Sequence, residues 1–271
     1  MTALMKHTLL PALLLAALPL HAAPASKIDV SKLPQQSRVI GDVIVPVPSE
    51  IFGVLDKLNS KPKWAEVLRP MKSVAKPFGD QSQVALYLGA VIAEGFVAVE
   101  AEDADQVQKI GNSVLSLSDA LGVRKAVTKR ANAIIDASNS KDWKLVRKEL
   151  DRALSDVKDA MAQLGNDQLS QLVSLGGWLR GTEALCEVVS ASYSRDGADL
   201  LHQPMLLDYF AQQLDGMKGR YKKNAVIGKI QAGLKDIRPH IGLSDGAEIS
   251  AKSVREVGTI AAGLVKAIQS R

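Results

Sequence analysis

From Ser49 onward, apolar positions recur at spacings of three and four, a period that predicts helices. Ser49 is placed to cap a helix whose apolar face is Ile51, Val54, Leu55 and Leu58. Pro62 can open a short second helix through Trp64, Val67 and Leu68, ending near Pro70. A turn at Pro77–Asp80 follows, with Asp80 or Ser82 as the next cap. Residues 82–101 are apolar nearly all round, which predicts a central, buried helix. Ala101–Asp105 reads as a bend or as a solvated continuation. Val107, Ile110, Val114, Leu117 and Leu121 define the next helix, which Gly122 can stop. Arg124–Ala137 reads as a basic amphipathic helix, with a loop and cap at Ser138–Ser140.

Residues 141–164 carry the clearest pattern. Trp143, Leu150, Val157 and Leu164 recur every seventh position, and Val146, Leu154 and Met161 fill the gaps. That is the seam of a long bundle helix. Gly165-Asn166 closes it, and the next helix runs to about Ser192. So short a connection makes the two antiparallel neighbours. Tyr193–Gln203 reads as a loop, and Pro204 opens a helix to Leu214. A basic surface turn spans Gly216–Lys223. Val226–Ile237 is a helix ended by Pro239, and Glu248–Gln269 is the C-terminal helix after a turn at Ser244–Gly246. No fixed repeat of about 20–50 residues is present, so a helical-repeat array is not expected. The fold class is all-α: an antiparallel helical bundle over 49–271.

The N-terminal part differs. Pro24, Pro34, Pro46 and Pro48 flank an extended Val39–Val47 stretch, which predicts an arm over 24–48 that packs on the body through an edge-strand pairing. Ahead of it stand Lys6, the Leu/Ala-rich run Thr8–Leu18 and the small residues around His21–Ser26. This order is that of a secretory signal peptide, residues 1–23, cleaved between Ala22 and Ala25. The run is shorter than the roughly 20 residues a bilayer crossing needs. A periplasmic or secreted protein is expected. The longest later apolar run, Val84–Val99, is broken by Glu94, so no transmembrane segment is expected in the mature chain.

Removing the leader takes away Lys6 and no acidic residue, lowering the formal charge from +5 to +4. Export, and the near balance of 34 basic and 29 acidic residues, argue against a nucleic-acid partner. The single cysteine, Cys186, excludes an intramolecular disulfide and Cys-based metal sites. Basic clusters at 125–130, 144–152 and 218–223 read as solubilising faces, or as contacts with an anionic envelope surface.

Two sets of ionisable residues stand out. Glu94 sits in the middle of the apolar 82–101 helix and needs a partner, with Arg180 the first candidate. Arg180, Glu183 and Glu187 share one sector of their helix. They read as a solvated stripe with an internal Arg180–Glu183 pair, or as charges that meet Glu94 or a ligand. The segment 193–209, with Tyr193, His202 and Tyr209, is the best place for a pocket mouth. Glu183 and Glu187 lack the helical His partners of a di-metal site, so no metal or other cofactor is expected. No nucleophile elbow, zinc-protease motif or phosphate loop is present. The expected function is non-catalytic: binding a small ligand or an envelope protein. The alternatives are an envelope enzyme using Glu94, Arg180 and the 193–209 segment, or a structural envelope protein.

Overall fold

The computed structural model describes residues 38–40, 43–45, 53, 62–219, 221–243 and 247–270. The leader, most of the arm and, apart from Gly53, the helix expected after Ser49 lie outside the described residues. The arm contributes two short antiparallel strands, β1 (Arg38–Ile40) and β2 (Val43–Val45), with Val39 opposite Ile44.

The body is an all-α bundle. Its elements are α1 (Trp64–Val67), α2 (Gln81–Glu100), α3 (Ala104–Ala120), α4 (Arg124–Asn139), α5 (Trp143–Gln163), α6 (Asp167–Ala191), α7 (Arg195–Asp199) and α8 (Pro204–Gly216). A 3₁₀ turn at Tyr221–Lys223 leads to α9 (Ala225–Ile241) and α10 (Ala251–Gln269). β2 lies against α8, and the two strands pair with each other.

Polar side chains set the ends. Asp80 accepts from the amides of Ser82 at 3.0 Å and Gln83 at 3.1 Å, capping α2. It also accepts from Asn224 Nδ2 at 2.9 Å, and Asn224 caps α9, so one carboxylate joins two helix starts. Glu102 has φ 54° and Asp103 caps α3, which makes 101–103 a bend rather than a continuing helix. Gly122 (φ 77°) and Gly165 (φ 68°) end α3 and α5 in the left-handed region that favours glycine.

The centre is the α2–α6 pair. Close approaches at Leu86–Gly176, Gly89–Gly177 and Glu94–Arg180 advance together, so the two helices run parallel. A Cβ on Gly89 would lie 1.9 Å from the Val173 carbonyl oxygen, and one on Gly176 would lie 2.0 Å from that of Leu86. Only glycine permits this approach. Helices α3 and α5 cover one side of α2, and α10 packs on α6 and α2 from the other. By length and composition α2 is the one described helix able to cross a bilayer, and the bundle encloses it. The helix reaches beyond the apolar run Val84–Val99, because Gln81, Ser82, Gln83 and Glu100 continue it at its ends.

The seam of α5 holds at Val146, Leu150, Val157 and Met161, which are buried. Trp143 and Leu154 are only partly buried. Leu164 is 55% exposed, because the helix stops one residue before it. Three boundaries differ from the sequence reading. Tyr193–Gln203 contains α7, which Ser194 caps through the Gly197 amide at 3.1 Å. Helix α9 continues through Pro239 to Ile241. Pro239 falls in the last turn, where the bond it forfeits belongs to the carbonyl of exposed Lys235, which water can satisfy. Helix α10 starts at Ala251 rather than Glu248, because Ser250 supplies the cap.

Candidate functional site

Glu94 and Arg180 meet. Arg180 Nε donates to Glu94 Oε2 at 2.5 Å, and both side chains are buried, Arg180 completely. The apolar surfaces of α2 and α6 force these two charges together, since each is the other's nearest means of compensation.

An extended strap, residues 68–75, follows α1 and closes over them. Arg180 Nη2 donates to the Val67 carbonyl oxygen at 2.9 Å, and the Arg69 amide donates to Glu94 Oε1 at 2.7 Å. Two further side chains receive strap amides: Gln106 Oε1 from Met71 at 2.8 Å and Ser113 Oγ from Ala75 at 2.9 Å. The strap forms no sheet, so these side chains take the place of a ladder partner.

Glu183 and Glu187 complete the cluster. The solvated-stripe reading of 180–187 does not hold, because Arg180 is 0% and Glu183 1% exposed. Glu183 Oε2 lies 3.4 Å from Arg180 Nη1, and Glu183 Oε1 lies 2.7 Å from Arg69 Nη2. Arg69 Nη2 also donates to Glu187 Oε1 at the half-open rim. Neither Glu183 oxygen, nor Arg180 Nη1, has hydrogen-bond geometry with any protein partner. Burial pushes the Glu183 carboxyl above its ordinary value, with Glu187 and Glu94 adding to the rise and Arg180 and Arg69 opposing it. Burial works against the Arg69 charge, but Glu183, Glu187 and Glu94 outweigh it and hold the guanidinium above its usual range. Three carboxylates face two guanidiniums, so one proton on Glu183 makes the cluster neutral.

The other sequence candidates lie elsewhere. The Tyr193 hydroxyl is 2.8 Å from both Glu248 Oε1 and the Ile249 carbonyl oxygen, tying the end of α6 to the start of α10. Tyr209 donates to Gln171 Oε1 at 2.7 Å, and His202 is exposed. None of the three hydrogen-bonds with the cluster among the described residues. Burial, then Glu187 and Glu183, push the Cys186 thiol far up, which leaves it un-ionised and inert. Among the described residues, no three His, Cys, Asp or Glu are placed to hold a metal ion.

Arg69, Gln106 and Ser113 are the functional-looking residues the sequence reading missed. Arg69 precedes Pro70 in a stretch without periodicity, so no pattern marks it. A second feature of the core is a wholly apolar cavity of about 30 Å³ between α2, α3, α4 and α5, where Gly95 and Gly111 leave space beside Ile110 and Leu150. Comparison with protein-family models, curated proteins and solved structures finds no match.

Proposed function

We propose that the protein is exported and acts without catalysis, as a helical body that binds a partner or small ligand in the cell envelope. The observation that carries this reading is the engagement of Glu94. One of its oxygens holds Arg180 and the other holds the strap backbone at Arg69. A general base needs a lone pair aimed at substrate, and both Glu94 oxygens already serve the fold. The enzyme alternative also needs the 193–209 segment beside Glu94 and Arg180, whereas Tyr193 and Tyr209 bond to Glu248 and Gln171. Export rests on the Lys6, Thr8–Leu18 and Ala22–Ala25 pattern.

A small polar ligand at the cluster is the second reading. It is favoured by Arg180 Nη1 and the Glu183 oxygens, which are buried and without hydrogen-bond partners in the protein.

Expression with the native leader, followed by mild envelope extraction and native mass spectrometry, tests both. The expected species starts between Ala23 and Ser26 and carries additional bound mass. A chain still containing Met1–Leu20 overturns export, and a bare mature chain overturns binding. Loss of the bound mass in a folded Glu94→Gln variant assigns the ligand to the cluster; its retention assigns the partner to the outer surface.

A further inference from the structure

Charge is distributed very unevenly along this chain. Residues 218–271 hold 11 Lys and Arg against 4 Asp and Glu, a net +7, while residues 1–217 sum to −2. The chain's positive charge is thus a property of its last fifth, whose described residues form α9, α10 and the turn before them.

The hairpin sorts its residues strictly. Ile227, Ile230, Leu234 and Ile237 of α9, with Val254, Val257, Ala261 and Ile268 of α10, are buried. The opposite face shows Lys229, Lys235, Lys252, Arg255 and Lys266, all exposed. Between them stand Ala225, Gly228, Ala232 and Gly263, also exposed. Lys229 and Lys266 come from different helices and line one open groove of about 420 Å³, together with Gly263 and Ala267. Asp236 and Glu256 are the acidic residues on these helices, and Glu256 is held by His240 at 3.3 Å and Lys252 at 3.7 Å. Lys229 and Lys266 have no acidic partner among the described residues. Arginines carry the ion pairs of the other basic clusters, Arg130 with Glu149 and Asp156 and Arg147 with Glu100, as Arg238 of α9 does with Asp208.

We propose that the outer face of the α9–α10 hairpin is a docking surface for an anionic phospholipid bilayer. The face has the features such a surface needs. It is long, since the 19 residues of α10 span about 28 Å. It exposes no large apolar or aromatic anchor of the kind that dominates specific protein–protein interfaces. Basic side chains on such a face attract negative headgroups without inserting, so attachment is peripheral and reversible by salt. The encounter with a bilayer in the cell rests on the proposed export; binding in vitro does not, so the two fail separately.

Flotation of the purified mature chain with vesicles tests the proposal. Binding is expected to vesicles of phosphatidylcholine with a minority of phosphatidylglycerol, and not to phosphatidylcholine alone. It should vanish near about 1 M salt, where the Debye length is roughly 3 Å. Each basic residue at a membrane surface contributes about fivefold to partitioning, so Lys229→Ala/Lys266→Ala should weaken binding about 25-fold. These residues are exposed, and an unchanged circular dichroism spectrum and melting point verify the fold. Lys125→Ala/Lys129→Ala on α4 should leave partitioning unchanged. No preference for anionic vesicles, salt-insensitive binding, an equal loss in the α4 variant, or capture by a soluble anionic polysaccharide but not by vesicles would each overturn it.

Discussion

Arg180 reaches from α6 to Glu94 on the parallel helix α2, a 2.5 Å contact between two buried side chains. A buried pair of this kind contributes little relative to a well-packed apolar replacement, but breaking it leaves one charge stranded. Glu94→Ala is expected to cost about 3–5 kcal/mol in chemical denaturation at neutral pH. Glu94→Gln retains an acceptor for the Arg69 amide and should cost less. A loss below about 1 kcal/mol for Glu94→Ala, the scale of an exposed pair, would show that the cluster is open to water.

Glu183 gives a pH prediction with a definite sign. Its folded pKa is raised, by burial first, so its contribution to stability is full below the unfolded value of about 4.3. That contribution is lost as pH rises through the folded value. Glu183→Gln cannot ionise. The stability of the variant minus that of wild type should therefore increase as pH is raised from about 4 to about 7, whatever the offset between the two proteins. Paired denaturant titrations across this range measure the slope, and a difference that falls with pH refutes the assignment.

The helix glycines separate into two kinds. Gly89→Ala places a methyl 1.9 Å from the Val173 carbonyl oxygen, which the parallel helix can relieve only by moving away. A loss of about 3 kcal/mol or more is expected. Gly95→Ala meets the Ile110 Cγ2 methyl at 3.3 Å and Leu150 Cδ1 at 3.6 Å, beside the 30 Å³ cavity. Those side chains have room to yield, and alanine improves helix propensity by about 1 kcal/mol. Its melting temperature should rise. Thermal melts of the two variants test the pair, and shifts of the same sign contradict it.

How far the sequence led can be judged from these same residues. Periodicity found α2 through α6 because each of those helices must bury a face, and a buried face leaves an apolar stripe. Glu94 and Arg180 were readable as partners because each interrupts a stretch with few other charges. Burial of Glu183 was not readable. With Arg180 and Glu187 it makes a polar sector like any solvated face, and only a distant segment, the strap, covers it. Glycine spacing is no better a guide: Gly177 and Gly181 have the close-packing interval, yet Gly176 and Gly177 make the contact and a Cβ on Gly181 would meet nothing within 4 Å. The pattern reports which side of a helix is apolar and not which neighbour will lie across it.

The strap supplies the last prediction. Its amides at Arg69, Met71 and Ala75 are each held by one side chain of the bundle: Glu94, Gln106 and Ser113. Removing an acceptor strands a buried amide, at a cost of about 1–3 kcal/mol. Ser113→Ala removes the Ala75 acceptor, 38 residues away in sequence, together with the Ser113 Oγ contacts to the Lys109 carbonyl oxygen and Met71 Sδ, and leaves the Glu94–Arg180 pair untouched. If the strap opens as one unit, hydrogen exchange should accelerate at Arg69, Met71 and Ala75 together in this variant, while α2 and α6 keep their protection. If each bond holds its own residue, Ala75 will lose protection and Arg69, held by Glu94, will keep it. Concerted opening would make the strap a single cooperative cover over Glu183, and the Arg69 guanidinium would leave the cluster with it. In that state Glu183 would lose a cation and gain solvent, so its carboxyl would return towards its ordinary pKa as the strap lifts. The exchange rates at all three amides should then rise with pH beyond the tenfold per unit of intrinsic chemistry, because ionised Glu183 is better tolerated in the open form. A plain tenfold dependence in Ser113→Ala would disconnect the strap from the titration of Glu183.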